Sequence, residues 1–355
     1  MSNIVTLAPR LRQDKSAKLC RLTTGFARDR RLPDDVFWLK ENAEFLGILA
    51  ATDTPVTPEA LTPFEQFYEQ IQQRMQFFPQ YYRFLLSICL DLEDLGLTGS
   101  RGAELSVWVA REGLAEAELS DLQRAEARRL LARRDAGAPD EGLDARLHRF
   151  ISRSDTFAMP NKKAAYELTH IVFYLSEYGR RDPQLGSGAL TSLQHAALLA
   201  YLDQNADLLA EVCTALRFAG QTPSPVWEKA VAGAHEDIGV TSGGPGELND
   251  AYHEYLVTGW AMEVAGRDGF GSTVPEGPPR FQRAYLPQGA LRAMSEAMFD
   301  LGDARRADWG QMRPYVLPLL GPQGHEVLVA AEGSSDRFEA FFESFARAAR
   351  PTGLH

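Results

Sequence analysis

Two segments of the chain each place a carboxylate three residues before a histidine. Glu167 and His170 lie in "YELTHIVFYLSEYG", and Asp250 and His253 lie in "NDAYHEYLVTGWA". On a helix, residues at i and i+3 share one face, so a carboxylate oxygen and an imidazole nitrogen can converge on one point. Two such pairs on separate helices supply ligands to dinuclear carboxylate sites in helical bundles. The spacing therefore predicts that these four residues bind metal, and their oxygen and nitrogen donors suit iron, manganese or zinc.

The helix that carries the first pair has few polar residues. On a helical wheel, Glu167 and His170 share one stripe with Tyr174, and the adjoining stripe is apolar. Such a helix is expected in the interior of its domain, where a charged side chain needs a partner. We therefore expect Glu167 and His170 to face a polar interior site. Tyr174 is expected behind the metal ligands, because it lies one turn beyond His170.

These residues predict a metal-dependent enzyme that acts on a small molecule or a peptide. With iron the reaction would be oxidative, as in non-haem iron oxidoreductases, and with zinc it would be a hydrolysis or a lyase elimination. Further carboxylate ligands would come from other helices. The sequence leaves that choice open among Asp91, Glu93, Asp94, Glu141, Asp144, Asp203, Asp207 and Glu211.

Three other interpretations use the same residues. Glu167, His170 and His253 could bind a single metal ion as two histidines and one carboxylate. A metal-free enzyme could use a buried carboxylate beside a histidine as acid and base. In a non-catalytic helical scaffold or partner-binding protein, each pair would be a hydrogen bond between neighbours on a helix, and the two pairs would lie apart.

Helix signals run through the whole chain. Ser120 and Gln123 have the spacing of a capping box, and Ser224 followed by Pro225 is typical of a helix start. Residues 188–220 could form one long helix, whereas "HEVLVAA" at 325–331 is the only strand candidate. The pattern predicts an all-α fold, either a helical bundle or an α/α toroid, with an α-solenoid as the alternative.

Two loops divide this helical pattern. "RRDAGAPDEG" (133–142) and "GRDGFGSTVPEGPPRFQ" (266–282) are rich in glycine and proline. We expect an N-terminal helical subdomain at 1–135 and a helical core with the site at 136–355, as parts of one continuous domain.

Composition narrows the classes of function. With 48 acidic and 37 basic residues, the net charge of −11 argues against nucleic-acid binding, which needs a basic surface. Three widely spaced cysteines predict no disulfide framework. There is neither a membrane-length apolar run nor a signal peptide, so a cytoplasmic location and no membrane partner are expected. No nucleotide-cofactor motif is present.

The aromatic run at 77–84 is expected in the core or at a subunit interface. The sequence therefore leaves open whether the protein is a homo-oligomer.

Three stretches resemble bacterial proteins that are grouped only as an all-helical family of unknown function. They are "VFWLKENAEFLGIL" (36–49), "FFPQYYRFLLSICLDLEDLGL" (77–97) and "YELTHIVFYLSEYG" (166–179). The resemblance implies a helical cytoplasmic protein, and it implies no activity and no catalytic residue.

Overall fold

The computed structural model describes residues 8–243, 250–285 and 288–348. Helices make up most of these residues, and two short strands are the only β-structure among them. The predicted all-α fold class is confirmed. Within the described part of the chain, no helix has both the length and the apolar character that a membrane span requires.

The chain divides into two compact units, each assembled from two separate segments. The first unit comprises Met1–Glu141 and Asp237–Ala284, and the second comprises Gly142–Glu236 and Tyr285–His355. In chain order the helices of the first segment are α1 to α7, which are Ala8–Thr24, Val36–Ala51, Pro58–Leu61, Glu65–Phe77, Tyr82–Asp94, Arg101–Arg111 and Asp121–Ala132. The second unit begins with α8 to α13, which are Leu143–Ile151, Ser154–Phe157, Lys162–Leu175, Ser187–Asp203, Ala206–Phe218 and Pro225–Glu236. The first unit is then completed by β1 (Ile238–Ser242), α14 (Tyr252–Val264) and β2 (Pro279–Arg283), and the second by α15 to α18, which are Leu291–Leu301, Trp309–Val316, Pro322–Glu332 and Phe338–Ala346.

Side-chain caps start several of these helices where the sequence predicts them. The Ser120 hydroxyl accepts from the backbone N–H of Gln123 at the start of α7, which confirms the predicted capping spacing. Helix α13 begins at Pro225, also as predicted. At the start of α2, the carboxylate of Asp35 accepts from the backbone N–H of Phe37 at 2.8 Å. These caps satisfy backbone donors that have no partner within the helix.

The segment predicted as one helix over 188–220 is two helices. Gln204 adopts a left-handed conformation with φ of 55° and ends α11. The side chain of Asn205 then caps α12 by accepting from the backbone N–H of Leu208. A left-handed residue cannot continue a right-handed helix, and asparagine is among the preferred capping residues, so the chain turns here.

The strand candidate at 325–331 lies inside α17. Val327, Leu328 and Ala331 are buried, whereas the two residues before Val327 are exposed. This burial follows the helical period of 3.6 residues rather than the strand period of two. The β-branched residues misled the sequence-based prediction because the surrounding helix context outweighs their weak strand preference.

The observed strands pair antiparallel in the first unit, with Ile238 opposite Arg283. Phe281 at the centre of β2 is fully buried, and its ring centroid lies 4.6 Å from that of Tyr255 on α14. The strand pair therefore packs on α14 through aromatic side chains.

A π-helical turn, Gly25–Asp29, follows α1. The carbonyl of Phe26 accepts from the side-chain amide of Asn42 at 3.1 Å. The carbonyl of Ala27 accepts from the indole Nε1 of Trp38 at 3.0 Å. Both donors lie on α2, so α2 satisfies carbonyls of the π-turn and holds it in place. Such turns are rare in proteins, and those that occur often lie at functional sites.

In the second unit, His195 on α11 is a core residue, as its apolar surroundings predict. It is 2% exposed, its Nδ1 lies 3.1 Å from the carbonyl oxygen of Ser154, and its ring packs edge-on against Phe341. Because the Nδ1 contact is to an acceptor, Nδ1 carries the proton of the neutral ring. Burial lowers the pKa of His195 below its ordinary value, although Ser154 and Asp155 act in the opposite direction.

The burial of His195 predicts a loss of stability in mild acid. The unfolded chain takes up a proton at this histidine near pH 6.5, whereas the folded chain takes it up only at lower pH. The free energy of unfolding therefore falls as the pH drops below about 6.5. Urea unfolding at about pH 7.5 and about pH 5.5 should show a larger loss for the wild type than for His195→Gln, whose amide can still donate to Ser154. An equal loss in the two proteins would contradict this role.

Candidate functional site

The structure places the two carboxylate–histidine pairs in different units. Asp250 and His253 belong to the first unit, where His253 lies on α14 and Asp250 lies just before it. Glu167 and His170 lie on α10 in the second unit, together with Tyr174. The ring centroids of His170 and Tyr174 are 6.2 Å apart. The predicted place of Tyr174 behind a metal ligand stays a prediction.

Arg30 is the centre of a buried ion cluster in the first unit. Its Nε donates to Glu41 at 2.9 Å, and its Nη1 and Nη2 donate to the two carboxylate oxygens of Asp250 at 2.9 and 3.0 Å. Nη1 also donates to the carbonyl of Pro279 at 2.6 Å. The side chains of Arg30, Glu41 and Asp250 are 0%, 1% and 7% exposed. The planar guanidinium thus fixes both carboxylates in one geometry.

Three aromatic rings surround the same guanidinium. The central carbon of Arg30 lies 5.4 Å from the ring centroid of Phe26, 5.3 Å from that of Tyr252 and 5.2 Å from that of Phe281. These distances suit cation–π attraction, which strengthens when the cation is shielded from water. Through its ionic and aromatic contacts, Arg30 joins the π-turn, α2, β2 and the start of α14.

The carboxylate of Asp250 is fully engaged by protein groups. Besides Arg30, it accepts from the backbone N–H groups of Phe281 at 3.0 Å and Tyr252 at 3.4 Å. Burial alone would raise the pKa of Asp250, but the hydrogen bonds and charge of Arg30, with the two backbone donors, lower it below its usual range. A metal ion at Asp250 would have to compete with this guanidinium.

His253 forms a close pair with Glu44 of α2. Its Nδ1 lies 2.5 Å from Glu44 Oε1, and the two side chains are 36% and 18% exposed. A carboxylate accepts hydrogen bonds and does not donate them, so Nδ1 carries the proton in this contact. In the neutral ring, Nε2 is then the nitrogen that can accept a proton. We call Glu44 and His253 the dyad.

The ion cluster and the dyad are neighbours along α2. Glu41 and Glu44 lie three residues apart on α2, and Asp250 and His253 have the same spacing on the other side. Glu41 reaches Asp250 through Arg30, whereas Glu44 contacts His253 directly. The i, i+3 spacing of the second pair thus matches an equal spacing of acids on α2.

Sequence reasoning missed the partners of this second pair, which are Arg30, Glu41 and Glu44. The sequence could have indicated the two glutamates, because they share one face of the apolar helix "VFWLKENAEFLGIL", where charged side chains need partners. Arg30 carried no such signal. It lies 220 residues before Asp250, and its position depends on the π-turn.

A second carboxylate–histidine contact lies in the second unit, between α10 and α12. The carboxylate of Glu211 has a side-chain exposure of 3%, and its Oε1 lies 3.7 Å from His170 Nε2. Its Oε2 accepts from the hydroxyl of Thr169 at 2.5 Å. Glu167 lies 4.0 Å from Lys163 one turn earlier on the same helix. The buried acid that His170 approaches is therefore on the neighbouring helix.

The same two helices are joined by a further acid contact. The hydroxyl of Tyr166 donates to Asp207 in a short hydrogen bond. Burial raises the pKa of Tyr166 well above its ordinary value, and Asp207 raises it further. Tyr166 and Asp207 precede Thr169 and Glu211 by about one turn each, so these contacts fix the register of α10 against α12.

Metal binding by the predicted ligands stays a prediction. In the described ranges, no group of three or more histidine, cysteine, aspartate or glutamate side chains is arranged to hold a metal ion. His170 approaches Glu211 in one unit. In the other unit, His253 contacts Glu44, and Asp250 is joined to Glu41 through Arg30.

Comparison with known proteins identifies a family. A family model described as "Domain of unknown function (DUF6902)" matches residues 1–348, which is nearly the whole chain. No curated protein and no solved structure gives a significant match.

Proposed function

The chain belongs to the DUF6902 family of unknown function, and we propose that it is an enzyme in which the dyad of Glu44 and His253 transfers a proton to or from a small molecule or peptide. The observation that carries this proposal is the 2.5 Å contact between Glu44 Oε1 and His253 Nδ1 on a partly exposed imidazole. A carboxylate that holds a histidine in one tautomer is the arrangement used by acid–base catalysts.

The ion cluster supports this role by fixing both sides of the dyad. Glu44 lies one turn beyond Glu41 on α2, and His253 lies three residues after Asp250. Because Arg30 binds Glu41 and Asp250 together, α2 and the start of α14 are held at one separation. Catalytic groups need such fixed positions, since a displacement of about 1 Å can cost about a hundredfold in rate.

The exposure of the two groups suits the proposed chemistry. The inner partner, Glu44, is the more buried, and the imidazole is accessible over about a third of its side chain. A histidine in this setting acts near neutral pH as a general base or a general acid. The reaction class we propose is therefore proton abstraction or donation, as in isomerases, lyases and hydrolases.

The proposal is tested by searching for turnover in a defined mixture of small metabolites and short peptides. The purified protein is incubated with the mixture, and substrate loss and product gain are followed by mass spectrometry. We expect at least one substrate–product pair that the wild type and His325→Gln convert and that His253→Gln does not. His325 is a matched control because it is an exposed histidine in the other unit.

A parallel set of reactions contains a metal chelator. Turnover that persists with the chelator and requires His253 supports the acid–base enzyme. Turnover that the chelator abolishes would favour the metal-dependent hypothesis with iron, manganese or zinc instead. Conversion that His253→Gln carries out as fast as the wild type would rule out the dyad.

A further inference from the structure

A cavity of about 730 Å³ lies in the first unit, which is within the usual size range of small-molecule sites. One wall is the segment from the π-turn to the start of α2, and the other is the segment from the end of α3 through α4. Its lining residues are Ala27, Arg28, Leu32, Pro33, Asp34, Trp38, Thr62, Pro63, Glu65, Gln66, Phe67, Gln70 and Arg74.

The floor of this cavity is apolar and rigid. Trp38 and Phe67 are 1% and 4% exposed, and their ring centroids are 4.4 Å apart. The indole N–H of Trp38 is already bonded to the carbonyl of Ala27. These two rings support the base of the cavity from beneath, and the apolar surface that a ligand can contact comes from Leu32, which is 69% exposed, and from Pro33 and Pro63.

The rim carries charges of both signs. Arg28 and Arg74 are the cations, and Asp34 and Glu65 are the anions. Arg74 is held in place, because its Nη1 donates to the carbonyl of Pro33 at 3.0 Å and its guanidinium lies over Phe67. Within the described part of the chain, no hydrogen bond or ion pair engages the side chains of Arg28, Asp34 and Glu65.

We propose that this cavity binds a small zwitterion with an apolar body, such as a free amino acid with an aromatic or aliphatic side chain. The carboxylate of the ligand pairs with Arg28 and Arg74, and its ammonium group pairs with Asp34 and Glu65. Its side chain packs on Leu32, Pro33 and Pro63, which line the same cavity. The balanced rim on a chain of net charge −11 argues for a ligand that carries both charges, because a simple anion or cation would face two like charges.

The test measures binding of phenylalanine and leucine by isothermal titration calorimetry to the full-length protein. We expect saturable binding with a Kd on the order of 1 mM or tighter. N-acetyl-phenylalanine lacks the ammonium charge and phenylalanine amide lacks the carboxylate, so each should bind about tenfold more weakly or worse.

Rim variants locate the binding. Arg28→Gln and Glu65→Gln should each weaken the binding of phenylalanine about tenfold. Arg111→Gln is the matched control, since Arg111 is an exposed arginine of the same unit outside the cavity, and it should bind as the wild type does. Thermal unfolding of each variant checks that it is folded.

The proposal does not depend on the dyad, so His253→Gln should also bind phenylalanine normally. Absence of saturable binding would overturn it. If N-acetyl-phenylalanine and phenylalanine amide bound as tightly as phenylalanine, the proposal would be overturned as well. The same holds if Arg28→Gln and Glu65→Gln both bound phenylalanine as tightly as the wild type.

Discussion

Replacement of Arg30 by alanine is expected to lower the free energy of unfolding by about 3–5 kcal/mol. The substitution leaves the buried carboxylate of Asp250 without the guanidinium that binds both of its oxygens, whereas Glu41 keeps its contact with Arg31 at 2.7 Å. Removing one partner of a buried ion pair is costly because the remaining charge keeps its desolvation penalty. It also removes the cation from three aromatic rings. Urea unfolding followed by tryptophan fluorescence measures the effect.

Arg111→Ala is the control for this experiment. The side chain of Arg111 is 71% exposed and pairs with the adjacent, also exposed Glu112. An exposed ion pair of this kind contributes little, so the change should stay within about 0.5 kcal/mol. A loss for Arg30→Ala no larger than that for Arg111→Ala would contradict the buried cluster.

The free energy of unfolding measured at acidic pH provides a second test of the same cluster. Because the pKa of Asp250 is lowered in the folded protein, its contribution to stability is present above the unfolded value of about 3.9. The contribution is lost as the pH falls through the lower folded pKa. Arg30→Ala removes the main cause of the lowered pKa, so the variant should lose less stability than the wild type over this acidic range.

If the proposed acid–base function holds, replacement of His253 by glutamine lowers turnover about 10²- to 10⁴-fold, which is the usual contribution of a general acid or base. Glutamine keeps a polar side chain of similar length but cannot exchange a proton near neutral pH. Glu44→Gln should also reduce turnover, because the amide no longer offers His253 a carboxylate. The rates are measured with the substrate identified in the metabolite screen.

The double variant distinguishes a dyad from two independent groups. If Glu44 acts only through His253, the combined substitution should be no slower than His253→Gln alone. Effects that multiply in the double variant would show that the two residues act separately. His325→Gln, which alters an exposed histidine of the other unit, should leave the rate unchanged.

Much of the local structure could be predicted from the sequence because it depends on neighbours in the chain. The all-α class, the helix starts at Ser120 and Pro225 and the core position of His195 follow from capping and periodicity. The resemblance to a family of unknown function is likewise confirmed by the family match. The break at Gln204 was missed, although Asn205 is a capping residue that marks it.

The candidate site was only half predictable. The spacing singled out Asp250 and His253, which lie at and just before the start of α14 and contact Arg30 and Glu44. Their partners come from segments 220 and 209 residues earlier, and no local pattern links such distant residues. The position of Arg30 further depends on a π-helical turn, for which the sequence carries no recognised signal.

The proposed acid–base role requires that Glu44 hold His253 in the tautomer with its proton on Nδ1 and its lone pair on Nε2. Nitrogen-15 NMR of the labelled protein, with the His253 signals assigned by comparison with His253→Gln, measures the tautomer directly. We expect the neutral ring to carry its proton on Nδ1, and we expect Glu44→Ala to shift that proton toward Nε2. A neutral ring with its proton on Nε2 in the wild type, or a tautomer that Glu44→Ala leaves unchanged, would rule out this role of Glu44.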